Sequence, residues 1–261
     1  MAEMPRWAVI TGASSGIGTE LARVFAARGY SLVLVARRQE RLEALAGQIR
    51  KAHDAQVEVV TLDLQSADAP QRLQNTLRER GIVVHTLVNN AGFGLRGDFV
   101  SLPYERQIAM IDLNVRSLTA LCRLMLPGMM ERGRGGILNV ASLAAFQAGP
   151  LMAVYYATKA FVLSLSEALH EEAKSYGVTV TALCLGPTKS EFFAQAGFDD
   201  ALPFKTVMMP AADVAQIGVD AYEAGRAIVV AGATNWLGAL GSKFLPRSVT
   251  RKIAGLIQAR R

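Results

Sequence analysis

Tyr155 and Lys159 stand four residues apart, a spacing that puts both side chains on one face of a helix. A phenol titrates near pH 10, too high for free proton exchange at neutrality, and a neighbouring ammonium lowers it by favouring the phenolate. Such a pair can give a proton to a carbonyl oxygen or take one from an alcohol. Tyr156 is a competitor, but it points about a third of a turn away and its partner four residues on is Ala160. A Tyr–Lys pair alone is more often a surface contact, so its chemistry depends on what stands upstream.

Upstream stands Thr11-Gly12-Ala13-Ser14-Ser15-Gly16-Ile17-Gly18, a G-x-x-x-G-x-G loop between an apolar run and a helical pattern. Glycines permit a tight turn and close backbone approach, and the N–H groups opening a helix face a pyrophosphate. Ser14 and Ser15 add hydroxyl donors beside it. In dinucleotide sites that take NAD, an acid about 20 residues past the loop bonds the ribose 2′-hydroxyl. Here Ala36 occupies that place and Arg37-Arg38 follow. A guanidinium grips a 2′-phosphate through paired hydrogen bonds and offers a bare hydroxyl little, so the preferred cofactor is NADP(H). The positive charge of its oxidised ring would lower the Tyr155 phenol further.

The elements that position these residues are short β-branched runs alternating with amphipathic stretches. Strands are expected at Ala8–Thr11, Ser31–Val35, Val57–Thr61, Thr86–Asn89, Gly136–Ser142, Val178–Leu185 and Ala227–Val230. Most are continuous Val, Ile and Leu runs, as in parallel strands buried on both faces. Helical patterns such as Gly18–Arg28 and Glu40–His53 lie between them. The alternation implies one α/β domain with a doubly wound Rossmann fold, a parallel seven-stranded sheet with helices on both faces. That domain is expected over residues 1–234, with a substrate flap at about 188–210 and a basic amphipathic extension over 235–261. Ser142 closes the fifth strand at its carboxyl end, the edge where such sheets bind ligands, and its hydroxyl can hold a substrate oxygen.

Composition narrows the class. Apolar residues are 51% and charged residues 19% of 261, enough for one large core. Cys122 and Cys184 sit in apolar runs with no His or Cys at metal-ligand spacing, so no metal site is expected and both read as buried thiols of a reducing compartment. Met1–Arg6 has no signal-peptide pattern, and no apolar run reaches the roughly 18–20 residues that span a bilayer, so a cytoplasmic protein is expected. The net charge of +6 comes from the end of the chain: residues 224–261 carry seven bases and no acid, leaving 21 bases against 22 acids before them. A concentrated tail is not a DNA-reading face, and no nucleic-acid partner is expected.

With the glycine loop, Asn89-Asn90-Ala91-Gly92 after the fourth strand, and Asn114, Ser142 and Tyr155-x-x-x-Lys159 in that order, the chain resembles the short-chain dehydrogenase/reductases over about residues 7–232. Within them it looks similar to NADP-dependent bacterial ketone and 3-oxoacyl reductases. The resemblance implies that Asp63 and Leu64 border the adenine and that Asn90, Ala91 and Gly92 line the ribose side. It implies that Asn114 kinks its helix and holds a water linking Lys159 to solvent. Gly186, Pro187, Thr188 and Ser190 would meet the nicotinamide amide, although Leu185 and Ser190 depart from the usual Pro and Thr there. Ser15 departs too, being uncharged where many NADP-specific relatives carry a base. A homodimer or homotetramer is also implied.

The flap carries Phe192, Phe193, Phe198, Phe204, Met208 and Met209, while Phe93, Leu143, Phe146 and Met152 flank the catalytic set. Ordinary packing explains such residues nearly as well as an adaptable apolar lining, which would suit a hydrophobic ketone, aldehyde or secondary alcohol. The tail mixes Trp236, Leu237, Leu240, Phe244, Leu245, Ile253, Leu256 and Ile257 with bases. It fits three arrangements: lying on an anionic membrane surface, packing on a partner subunit, or roofing the active site. The expected activity is hydride transfer between NADP(H) and an apolar carbonyl or alcohol, with Asn114, Ser142, Tyr155 and Lys159 catalytic. The alternative is a non-turning redox sensor that keeps the dinucleotide site, against which the complete catalytic set argues.

Overall fold

Seven parallel strands form one sheet in the order β3-β2-β1-β4-β5-β6-β7 in a computed structural model that describes residues 5–198 and 208–259. The strands are β1 (Trp7–Thr11), β2 (Ser31–Ala36), β3 (Val57–Thr61), β4 (Val84–Asn89), β5 (Gly136–Val140), β6 (Thr179–Cys184) and β7 (Ile228–Val230). All seven expected strands are present, with ends shifted by no more than two residues. Their continuous apolar runs have a physical reason here: neighbouring residues enter opposite cores. Val9, Val33 and Val35 join one core, whereas Ala8, Ile10, Leu32 and Leu34 join the other. The first core is closed by α3 (Ala69–Glu79), α5 (Leu118–Glu131) and α6 (Ala153–Lys174), and the second by α1 (Gly16–Ala27), α2 (Gln39–Ala52) and α8 (Ala211–Glu223).

The chain leaves β1 toward β2 and β3, then returns to place β4 on the other side of β1. At that reversal the two connections diverge, opening a crevice at the strands' carboxyl ends. The loops after β1, β2, β4, β5 and β6 all face it.

The remaining helices are α4 (Tyr104–Ile111), α7 (Phe192–Gln195), α9 (Ala233–Phe244) and α10 (Arg247–Ala259). Between α4 and α5 the helix widens into a π turn over Asp112–Ser117, with Asn114 inside it. Ser142 is not the last residue of β5. It lies two residues beyond, where its hydroxyl accepts from Ala144 N (3.1 Å) and caps the 3₁₀ turn Leu143–Phe146. The flap segment is pinned at its base, since Lys189 N donates to Met209 O (3.0 Å) and Met209 N to Pro187 O (3.0 Å). Residues 199–207 of that segment, Phe204 among them, lie outside the described residues, as do Arg260 and Arg261. Among the described residues no helix is long and apolar enough to cross a membrane. Both cysteines are free and buried, with burial raising each thiol to about 12.

Candidate active site

The glycine loop owes its shape to the β4 loop beneath it. Gly12 and Gly16 take positive φ (67° and 55°), which only glycine adopts without strain. Asn90 Nδ2 donates to Thr11 O (2.9 Å) and Gly12 O (3.2 Å), while Thr11 Oγ1 accepts from the Asn90 and Ala91 N–H groups. A Cβ on Gly18 would lie 2.3 Å from Gly12 O, so this glycine serves the close packing of helix on loop. Gly12, Ser14, Ser15, Gly16 and Ile17 line the crevice; Gly18 does not.

The crevice is a cavity of about 460 Å³. Arg37, Arg38, Asp63 and Leu64 close its outer end, and Asn90, Ala91 and Gly92 form its middle. Gly186, Pro187, Thr188 and Ser190 line the far wall. Thr188 Oγ1 donates to Gly186 O (2.9 Å), and Gly186 has no room for a side chain because Asn235 fills that space. The two arginines are placed differently. Arg37 is 66% exposed and 3.8 Å from the Asp63 carboxylate. Arg38 folds back on the glycine loop and donates to Ser14 Oγ (3.1 Å) and Ser15 Oγ (2.8 Å).

Two residues that the sequence reading passed over complete this end. Glu191 accepts from Arg38 (3.0 Å) and Arg41 (2.6 Å). The Arg41 and Arg38 guanidiniums hold its carboxyl below the usual range. These contacts span 153 and 150 residues of sequence, with no local pattern to announce them.

At the inner end Ser142, Tyr155 and Lys159 line the same cavity, all three buried. Lys159 Nζ donates to Val140 O (2.7 Å), the last carbonyl of β5, and lies 5.9 Å from the centre of the Tyr155 ring. Burial draws the ammonium down to about 8. Burial also pushes the phenol of Tyr155 up, against a hydrogen bond with Ser142. Without the cofactor's charge beside it the phenol is governed by desolvation, and the ammonium donates to a backbone carbonyl.

Asn114 stands behind this group and not on the cavity wall. Its Nδ2 donates to Phe93 O (3.0 Å) and Thr158 Oγ1 (3.2 Å), and its Oδ1 accepts from Phe93 N (3.2 Å). A Cβ on Gly92 would sit 2.9 Å from Asn114 Oδ1 and 3.8 Å from Lys159 Nζ, so Gly92 is what lets the two approach.

Around Tyr155 the wall is apolar: Leu143, Met152, Tyr156, Phe192, Phe193 and Phe198. The Phe192 ring is 5.3 Å from that of Tyr155. Two expected lining residues are elsewhere. Phe146 packs against the core that α6 covers, and Phe93 lies beside Leu95 and Met110, under the Arg106 guanidinium. Both are adjacent in sequence to cavity residues, and loop direction turned their rings away.

The profile of the short chain dehydrogenases matches residues 6–200. The chain belongs to that family. Very-long-chain 3-oxoacyl-CoA reductases are among its curated relatives. That of Anas platyrhynchos is 36% identical over 204 residues, 76% of this chain and 65% of that protein. That of Homo sapiens is 34% identical over 181 residues, 68% of this chain and 57% of that protein. This short chain dehydrogenase thus spans less than two thirds of the length of either relative. Among solved structures, a short-chain dehydrogenase from Sphingobium yanoikuyae in complex with NADPH superposes with TM-score 0.82 at 34% identity, covering 91% of this chain and 93% of that one. The bulky-bulky ketone specific alcohol dehydrogenase from Comamonas testosteroni gives 0.77 at 28% identity, covering 98% and 95%.

Proposed function

We propose that this protein is an NADP(H)-dependent oxidoreductase acting on the carbonyl or secondary alcohol of a bulky apolar substrate. The observation that carries the reading is the continuity of one cavity, from Arg37 and Arg38 through the glycine loop to Tyr155, Lys159 and Ser142. A dinucleotide fits these residues: Gly12 and Gly16 line the cavity in a turn that their positive φ makes possible, and the start of α1 offers N–H groups to a pyrophosphate. Arg37 and Arg38 would take the 2′-phosphate, Asp63 and Leu64 the adenine, Asn90, Ala91 and Gly92 the ribose side, and Thr188 and Ser190 the amide end. Bound there, NADP(H) supplies or accepts the hydride. Tyr155 is the group that gives the carbonyl oxygen its proton, or takes it back in oxidation. Ser142 holds that oxygen through its hydroxyl, and Lys159 orients Tyr155 and adds positive charge. Asn114 positions Lys159.

The apolar wall around Tyr155 supports a fatty 3-oxoacyl compound or a bulky ketone, in keeping with the relatives' names. Incubating the protein with NADPH and a panel of such ketones, followed by nicotinamide absorbance, tests the reading; a protein that binds NADPH but turns over none is a sensor.

Cofactor choice separates the two arginines. Arg37→Ala is expected to weaken NADPH binding by about 1.5–3 kcal/mol and leave NADH nearly unchanged, because one charge-assisted contact is lost. Arg38→Ala removes a brace of the glycine loop as well, so both cofactors should weaken. Equal loss of both cofactors in Arg37→Ala would assign that residue to the fold.

The tail roofs the active site in this reading. Arg96 donates to Gln258 O (2.7 Å), and Gln258 Nε2 donates to the Tyr156 hydroxyl (2.9 Å) at the cavity wall. The outer side of α9 and α10 exposes Trp236, Leu237, Phe244 and Leu256 beside Arg247, Arg251 and Lys252, a pattern suited to an anionic membrane surface. A second copy of the chain would suit the other exposed apolar row, Phe99, Val100, Tyr104, Ile108 and Ile111, which supports a homodimer or homotetramer. Removing residues 246–261 should raise KM for bulky ketones severalfold while NADPH affinity stays near wild type. Salt-sensitive co-flotation with anionic vesicles should fall in the truncated protein. Unchanged KM and unchanged flotation would reject both roles of the tail.

A further inference from the structure

The cation cluster at the outer end of the cavity is already partly neutralised by the protein itself. Glu191 enters it from the flap side, one residue ahead of α7, and its two carboxylate oxygens take Arg41 and Arg38 separately. Arg38 is the same guanidinium that clasps Ser14 and Ser15. Ser190 closes the approach, since a Cβ on Gly16 would meet Ser190 Cβ at 3.0 Å. A carboxylate thus stands against Arg38, the residue assigned above to the 2′-phosphate, held by charge and anchored in the segment whose Phe192 and Phe193 line the substrate end. The next residue, Phe192, packs on Tyr155.

We propose that Glu191 is the counter-ion that the cofactor's 2′-phosphate displaces, so that this acid sets how strongly the enzyme prefers NADP(H) over NAD(H). The inference rests on the NADP(H) reading above. A phosphate monoester brings about −1.5 to −2 charge and three acceptor oxygens, against one charge and two oxygens for the carboxylate. It therefore outcompetes Glu191 for Arg38 and Arg41, yet at a cost equal to the two ion pairs broken. A ribose 2′-hydroxyl brings no charge and leaves Glu191 in place. The arginines are half-exposed, so each pair is worth little and the tax on binding is modest.

Adenosine 2′,5′-bisphosphate and 5′-AMP test this without nicotinamide or turnover. Calorimetric binding to the wild-type protein and to Glu191→Gln, an isosteric change at an exposed side chain, is the measurement. The variant is expected to bind the bisphosphate about three- to tenfold tighter and 5′-AMP no differently. Because the competition is between exposed charges, that gain should shrink toward unity near 1 M salt, where screening is complete within roughly 3 Å. Arg41→Gln should weaken the bisphosphate alone. If the wild-type protein prefers the bisphosphate and Glu191→Gln leaves the preference unchanged or lowers it, Glu191 is a support for Arg38 and the inference is overturned. If neither protein distinguishes the bisphosphate from 5′-AMP, the NADP(H) reading itself fails and takes the inference with it.

Discussion

Tyr155→Phe is expected to lower turnover at least several hundredfold while NADPH affinity stays within about twofold of wild type. The substitution removes one oxygen and keeps the ring, which is buried and packed by Phe192 at 5.3 Å and Tyr156 at 6.2 Å. Little of the cavity's shape depends on the hydroxyl, so KM should move less than kcat. The remaining hydroxyls near the reacting oxygen are those of Ser142 and Tyr156. The Tyr156 hydroxyl accepts from Gln258 Nε2, and its residue four positions on is Ala160 and not a lysine; Ser142 has an ordinary alcohol's reluctance to give up a proton. Burial keeps the Tyr155 phenol well above its usual range, so the group is a loaded donor across neutral pH. Carbonyl reduction should accordingly be flat through neutrality, whereas alcohol oxidation, which needs an acceptor, should gain as pH rises. A variant that keeps more than about a tenth of wild-type activity would show that another group supplies the proton.

The strands were legible because a doubly wound sheet writes itself into sequence: each buried strand must be apolar on both faces, as in Ser31–Ala36, where four of six residues are wholly buried. The glycine loop was legible for a similar reason, since positive φ and a 2.3 Å approach leave no other residue type at Gly12 or Gly18. The Tyr155–Lys159 spacing is local and survives translation into three dimensions. What could not be read is long-range and side-chain specific. Glu191 meets Arg41 across 150 residues, Gln258 meets Tyr156 across 102, and Asn235 fills the space beside Gly186. None of these pairs leaves a periodic trace. Phe93 and Phe146 failed in the opposite sense, because adjacency to a site residue says nothing about which way a loop turns its ring. Asn114 was visible as an amide in apolar company, but its π turn depends on Thr158 and on the Phe93 backbone that it bonds.

Lys159→Met is expected to abolish useful turnover and, in the cofactor-free protein, to raise stability at neutral pH. The ammonium is buried and titrates at about 8, against 10.5 for the exposed group. Between those two values the unfolded chain holds a proton that the folded chain has released, so stability rises with pH across that window. Below it both states are protonated, and the folded one carries the whole cost of a desolvated charge. That cost corresponds to about 3 kcal/mol at roughly 1.4 kcal/mol per pH unit. Methionine removes the charge at similar volume but strands the Val140 carbonyl, which Lys159 now satisfies, at a cost of about 1 kcal/mol. Chemical denaturation at pH 7 should therefore find Lys159→Met more stable by about 2 kcal/mol. The gap should close and reverse as pH rises through about 10, and the reversal should be complete above 10.5, where the wild-type lysine becomes neutral in both states. The same titration should appear in catalysis: wild-type reduction falls as pH climbs through about 8 and the ammonium is lost, and residual activity of the variant lacks that step. A variant less stable than wild type at pH 7, with a difference that does not change by pH 10, would mean that Lys159 is held by favourable contacts and that its charge is not the strained element of this site.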